Sequence, residues 1–179
     1  EYAEHIATGV RDLSHRLYPA KLQLLGLVAA IEGLLGELSH RKPRITLTHE
    51  NVPKTLPPDL TLCLFRVVQE AVQNALKHSH AENMSVHLSA RSDVLALVVI
   101  DDGVGFDVDT VCGQGLGLVS MGERVEAFGG TFKVQSSPQS GTRLEVSVPL
   151  AQGTTPTPFA DECTTVTSAS PANAPLGPS

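Results

Sequence analysis

Tryptophan is absent from the 179 residues, the other aromatics are few, and the formal net charge is −6. A broad basic footprint for nucleic acid is therefore missing, and that class of partner is a poor expectation. Cysteine is scarce as well: Cys63, Cys112 and Cys163 are widely spaced, odd in number and without a CxxC pair. That pattern fits neither a disulfide framework nor a zinc site, and a reducing, cytosolic setting suits it best. No apolar run approaches the roughly 20 residues needed to span a bilayer, and the opening EYAEHIATGV has no signal-peptide layout. The chain also lacks an initiating methionine and begins inside a helical pattern, so it is expected to be a piece of a longer protein.

What is present divides into three parts. Ile6, Val10, Leu13 and Leu17 recur at helical spacing among polar residues, which predicts an amphipathic helix over residues 1 to about 18, ended or kinked by Pro19. A second helical stretch runs from about Leu25 to Arg41, and ITLTHE (45–50) reads as a short strand. After the Pro57-Pro58 pair comes a third helix, DLTLCLFRVVQEAVQNALKHS, with Asp59 as its expected N-cap. Its apolar face comprises Leu64, Val67, Val68, Ala71, Ala75 and Leu76. MSVHLSA alternates as a strand, VLALVVI is apolar enough to be a buried one, VSMGERVEAF is a helix, and TFKVQ and TRLEVSVPL form a hairpin across SPQSG. This order predicts an α+β fold, a two-layer α/β sandwich with helices on one face of a mixed, mainly antiparallel sheet, preceded by one helix. From Ala151 the chain turns to Thr, Ser, Pro and Ala without apolar periodicity, so residues 151–179 are expected to be a disordered tail.

Four clusters carry chemistry. On the third helix Glu70, Asn74, Lys77 and His78 fall at i, i+4, i+7 and i+8 and form a polar face. Such a face is usually only solvated surface, yet this one combines a carboxylate base, an amide oxygen able to ligate a hard cation, a point charge for phosphate and an imidazole. In VIDDGVGFD (99–107) an apolar strand ends in Asp101 and Asp102, followed by Gly103 and Gly105. A metal site, a catalytic pair, a tight turn and a base-recognition site are all open there; an acid beside permissive backbone can accept a hydrogen bond from an exocyclic amine such as that of adenine. GQGLGL (113–118) precedes a helix, where glycines leave backbone N–H groups free for phosphate oxygens, although a plain hinge would look the same. GxxxxGK[ST] is absent, and no βαβ unit surrounds these glycines. Lastly, Gly141-Thr142 opens the final strand, as a hairpin glycine would.

Taken in order, the four clusters resemble the motifs of the ATP-binding domain shared by histidine kinases, Hsp90, MutL and DNA gyrase, the GHKL or Bergerat fold. EAVQNALKH (70–78) stands for the N box, DDGVGF (101–106) for the G1 box, GQGLGL for the G2 box, and GT (141–142) follows. The resemblance covers about residues 22 to 150. Two further runs, GLGLVSMGERVEAFGG and RDLSHRLYPAKLQLLGLVAAIE, resemble sensor histidine kinases of the nitrate-sensor (NarX-like) class. By that resemblance, residues 1–21 are the remnant of the second dimerisation helix and 22–150 are the ATP-binding catalytic domain.

The resemblance also implies roles. Asp101 would bind the adenine amine, with Gly103 and Gly105 shaping the pocket and Thr142 supporting Asp101 from the next strand. Asn74 would hold Mg²⁺ against the triphosphate, Glu70 would be the general base or polarising acid, and Lys77 and His78 would sit near phosphates. Gly113, Gly115, Leu116 and Gly117 would belong to the hinge of an ATP lid that includes DVDTVCG (107–113), and Asp102 would face solvent. The implied reaction moves the γ-phosphoryl of ATP to a histidine and thence to an aspartate of a response regulator with a receiver domain. The full protein would be a homodimer, and this segment the cytoplasmic part of a sensor. One departure matters: in this family the phosphorylated histidine lies on a dimerisation helix and is followed by an acid, whereas His15 is followed by Arg16. His15 is therefore not assigned that role, and the acceptor is expected outside this chain. A serine kinase of the same fold acting on an anti-anti-sigma partner, and a non-catalytic nucleotide-binding module, are the alternatives.

Overall fold

The computed structural model describes residues 22, 24–38, 40, 42–108 and 116–150. The helix expected over 1–18, the tail from 151, and Gly113 and Gly115 lie outside the described residues. Five strands are described, β1 (Arg44–Glu50), β2 (Asn83–Arg91), β3 (Val94–Asp101), β4 (Thr131–Ser136) and β5 (Thr142–Pro149), in the order β1-β2-β3-β5-β4. β1 pairs parallel with β2 and every other pair is antiparallel. The helices are α1 (24–37), α2 (Pro58–Asn74), which runs on into a π-helical turn (Ala75–Ser79), and α3 (Leu116–Glu126).

Alternation fixes the register. Successive strand residues point to opposite faces, so Val86, Leu88 and Ala90 of β2 share one face. They lie opposite Val99, Leu97 and Leu95 of β3, which in turn face Leu144, Val146 and Val148 of β5. These three apolar rungs are buried and form one core with Leu27, Ile31 and Leu34 of α1, with α2, and with Met121 and Val125 of α3. Among the described residues no helix covers the opposite face of the sheet. For that reason β3 is not buried on both sides, as its apolar run led us to expect: Val94 and Ile100 are 38% and 37% exposed.

α2 is apolar around more of its circumference than a surface helix needs, because the sheet and α3 both pack on it. Phe65 and Val72 are buried along with the expected Leu64, Val67 and Val68. The helix starts two residues earlier than the expected cap at Asp59 implies, with Pro57 at the N-cap position. Pro58 takes the first helical position, where its missing N–H costs nothing and its fixed φ suits the helix. Asp59 thus falls in the first turn, favourable to the helix dipole but not the cap.

Candidate functional site

At the end of α2, Glu70 and Asn74 stand one turn apart on the same side. The π turn then changes the angular step. Its wider i→i+5 winding advances each residue less than an α turn does, so His78 stays on the Glu70–Asn74 side while Lys77 rotates off it. His78 accordingly lines the cavity described below, and Lys77 is exposed and outside its lining.

The turn is closed by Ser79, one of two buried polar side chains among the described residues. Its hydroxyl donates to Ala75 O (2.8 Å) and accepts from Ala81 N (3.1 Å). Its carbonyl accepts from Val104 N at 2.7 Å, tying the helix end to the loop after β3.

That loop is held from every side. Gly103 N donates to Asp101 Oδ1 at 2.9 Å. Phe106 N donates to Ser136 Oγ (2.9 Å), which itself donates to Gly141 O (2.8 Å). Gln139 N, from the β4–β5 hairpin, donates to Val104 O at 2.6 Å. Two glycines make this closeness possible. Gly105 has φ +60°, and a side chain there would run into Ser137 O; one at Gly103 would collide with Ser79 and with Asp101 Oδ1.

The two aspartates part company. Asp101 is half-buried and pairs across the sheet with Thr142, whose hydroxyl donates to its carboxylate. Burial pushes the Asp101 carboxyl above the usual aspartate range, against the lowering effect of the Gly103 N–H and Thr142, and the neighbouring Asp102 charge adds to the rise. Asp102 is exposed, as expected, but it is not idle. Its Oδ1 accepts from Asn83 N (2.9 Å) and Glu82 N (2.8 Å), and its Oδ2 from Asn83 Nδ2 (2.8 Å). These donors, the Asn83 backbone first, hold its carboxyl below the usual range and fasten the end of β3 to the start of β2.

Between α2, α3 and the sheet lies a cavity of about 460 Å³. Glu70, Asn74 and His78 line it from one side, Asp101, Gly105 and Thr142 from another, and Gly117 from the start of α3. Its interior is apolar, with Met84, Val99, Met121 and Leu144. An apolar slot with one anchored carboxylate fits a flat heterocycle that offers an amine, and oxygen donors at Asn74 and Glu70 suit the hard cation that accompanies a triphosphate. Gly103 shapes the loop from behind the cavity, and Leu116 begins α3. The chain's one histidine followed by an acid, His49 before Glu50, lies on β1 and not on a helix.

The model of the family "Histidine kinase-, DNA gyrase B-, and HSP90-like ATPase" matches residues 60–152. The chain belongs to that family. A domain of this family binds ATP, and the fold is the one expected from the sequence. Sensor protein VraS of Staphylococcus aureus is 38% identical over 141 residues, covering 79% of this chain and 40% of the relative. VraS of Staphylococcus epidermidis gives the same figures. The chain therefore spans about 40% of the length of these curated relatives. Among solved structures, the histidine kinase domain of the blue-light activated histidine kinase of Erythrobacter litoralis EL346 superposes with TM-score 0.57 at 24% identity, covering 70% of this chain and 66% of that one. Histidine kinase AdeS of Acinetobacter baumannii gives TM-score 0.57 at 17% identity, covering 82% and 83%. Both show the shared fold.

Within this ATPase domain, sequence reading missed Ser79, Ser136 and the task of Asp102. A small hydroxyl ending a helix and another ending a strand are too common to stand out, and their partners lie far along the chain. Among the described residues no helix is long and apolar enough to cross a membrane.

Proposed function

We propose that the chain is the ATP-binding catalytic portion of a two-component sensor histidine kinase of the nitrate-sensor class. It moves the γ-phosphoryl of ATP to a histidine on a phospho-acceptor helix outside this chain, and a response regulator aspartate then receives it. The single observation that carries this reading is the convergence of Glu70, Asn74, His78, Asp101, Gly105, Gly117 and Thr142, from four separated motifs, on one cavity. The VraS relatives support the kinase class, and the run GLGLVSMGERVEAFGG supports the nitrate-sensor subclass.

In this reading Asp101 accepts the hydrogen bond of the adenine amine, on a loop tied by hydrogen bonds to Ser79, Ser136 and Gln139. A loop fixed by the fold in this way lowers the entropy lost on binding. Asn74 offers its amide oxygen to Mg²⁺, which when bound neutralises charge on the triphosphate. Glu70 orients or deprotonates the incoming imidazole, and His78, on the same wall of the cavity, adds hydrogen-bonding reach toward the phosphates. Gly113, Gly115 and Leu116 serve the lid over them. Phosphoryl transfer asks little covalent work of the protein, so positioning is the greater part of this domain's task. In the cell the domain works on the cytoplasmic side, as part of a homodimer.

The reading is tested by mixing the chain with γ-labelled ATP, Mg²⁺ and a separately made phospho-acceptor hairpin. Label on the hairpin that is lost in acid and kept in base marks phosphohistidine, as expected. Acid-stable label would mark a serine kinase, and nucleotide binding without transfer would mark a binding module.

A further inference from the structure

We propose that Gly117 is a positioning residue for Glu70, keeping open the space that the catalytic carboxylate occupies. The proposal rests on the role given to Glu70 above and adds a residue that sets its placement. Gly117 lies in the first turn of α3, where glycine is among the poorest helix formers. Its φ is not among the positive glycine values, which belong to Gly26, Gly105, Gly129 and Gly141, so a left-handed backbone is not what keeps glycine there. What the missing side chain provides is room. A Cβ at this position would stand 2.7 Å from Glu70 Oε1, 3.5 Å from Cδ and 3.7 Å from Cγ, and these three nearest atoms all belong to Glu70.

The contact follows from the packing of α3 on α2. Cys63 Sγ donates to Arg124 O at 3.5 Å. Arg124 lies seven residues after Gly117, and Cys63 seven before Glu70. Two turns of each helix, running antiparallel, thus join the two contacts in one register. Val125 and Met121 of α3 are buried in the same core as the apolar face of α2. The same pair faces the ATP cavity, Glu70 from one wall and Gly117 from the other. Because the crowded atoms are the far end of a flexible side chain, a methyl at 117 leaves the fold intact and turns the carboxylate away from its place.

The test is a double-mutant cycle with Gly117→Ala and Glu70→Ala, read by ATP affinity in calorimetry and by the rate constant of transfer to the acceptor hairpin at saturating ATP. Gly117→Ala is expected to hold affinity within about threefold while lowering the rate constant by about 100-fold, the cost of an ångström-scale misplacement. In the Glu70→Ala background it is expected to cost nothing further. An equal loss in both backgrounds, or affinity falling as much as the rate, would mean that Gly117 acts as a lid hinge or phosphate cradle and would overturn the proposal. A second measurement needs no kinase activity: the ¹³C carboxyl resonance of Glu70 in the nucleotide-free chain should move in Gly117→Ala, and an unmoved resonance would also overturn it. Absence of transfer by the wild type strikes the kinase reading, while the resonance still decides the contact.

Discussion

Asp101 and Asp102 are adjacent in sequence and opposite in energetics. Burial raises the Asp101 pKa, so its stabilising contribution is complete below the ordinary aspartate pKa and is lost as pH rises through the raised value. At neutral pH the ionised carboxylate weakens the fold. Asp101→Asn is therefore expected to raise the melting temperature at neutral pH, with the gain shrinking toward acid, while ATP affinity in calorimetry falls about 10- to 100-fold for one charged hydrogen bond. A variant that melts lower at neutral pH and binds ATP as before would contradict both halves. Asp102 runs the other way: its lowered pKa gives stability present above the ordinary aspartate pKa and lost as pH falls through the folded value. Asp102→Ala should melt lower than wild type at neutral pH, and the gap should close in acid. A gap independent of pH would show that the carboxylate charge is not what fastens β2 to β3. The family resemblance, not the local pattern of a strand end and glycines, is what gave the pair different roles, and the sequence could not show Asn83 and Glu82 waiting for the second acid, since those donors lie nearly 20 residues away.

At the scale of elements, the strands and helices were largely legible because each has a clean period. MSVHLSA alternates and becomes β2, while DLTLCLFRVVQ repeats at helical spacing and becomes α2. The failures have local causes. β3 read as buried on both faces because composition does not tell which side the helices cover. Lys77 read as part of the Glu70 face because an α period was carried through a segment that winds as a π turn. SPQSG read as the turn of a hairpin and no more, whereas Gln139 within it and Ser136 just before it reach back to hold the loop after Asp101. Ser136→Ala leaves Phe106 N–H and Gly141 C=O without that partner. It should cost about 1–3 kcal/mol in urea unfolding with an unchanged slope, and weaken ATP binding as the loop loosens. Unaltered stability and affinity would show that water replaces the hydroxyl without loss.

At the scale of the molecule, no single motif was decisive. An acid before two glycines is also a turn, and glycines before a helix are also a hinge. Their order along one chain carried the reading, and the fold gives the physical reason: β3 and β5 are neighbours, which brings Asp101 opposite Thr142, and α2 and α3 close over the apolar side of the same sheet. The central claim is that this enclosed slot reads a purine amine through Asp101. The measurement that meets it most directly is calorimetric titration of the wild type and Asp101→Asn with ATP and with inosine triphosphate, which carries a carbonyl in place of the amine. The account predicts that the wild type prefers ATP by about 10- to 100-fold and that the preference collapses in Asp101→Asn. Equal affinity of the wild type for both nucleotides would contradict it.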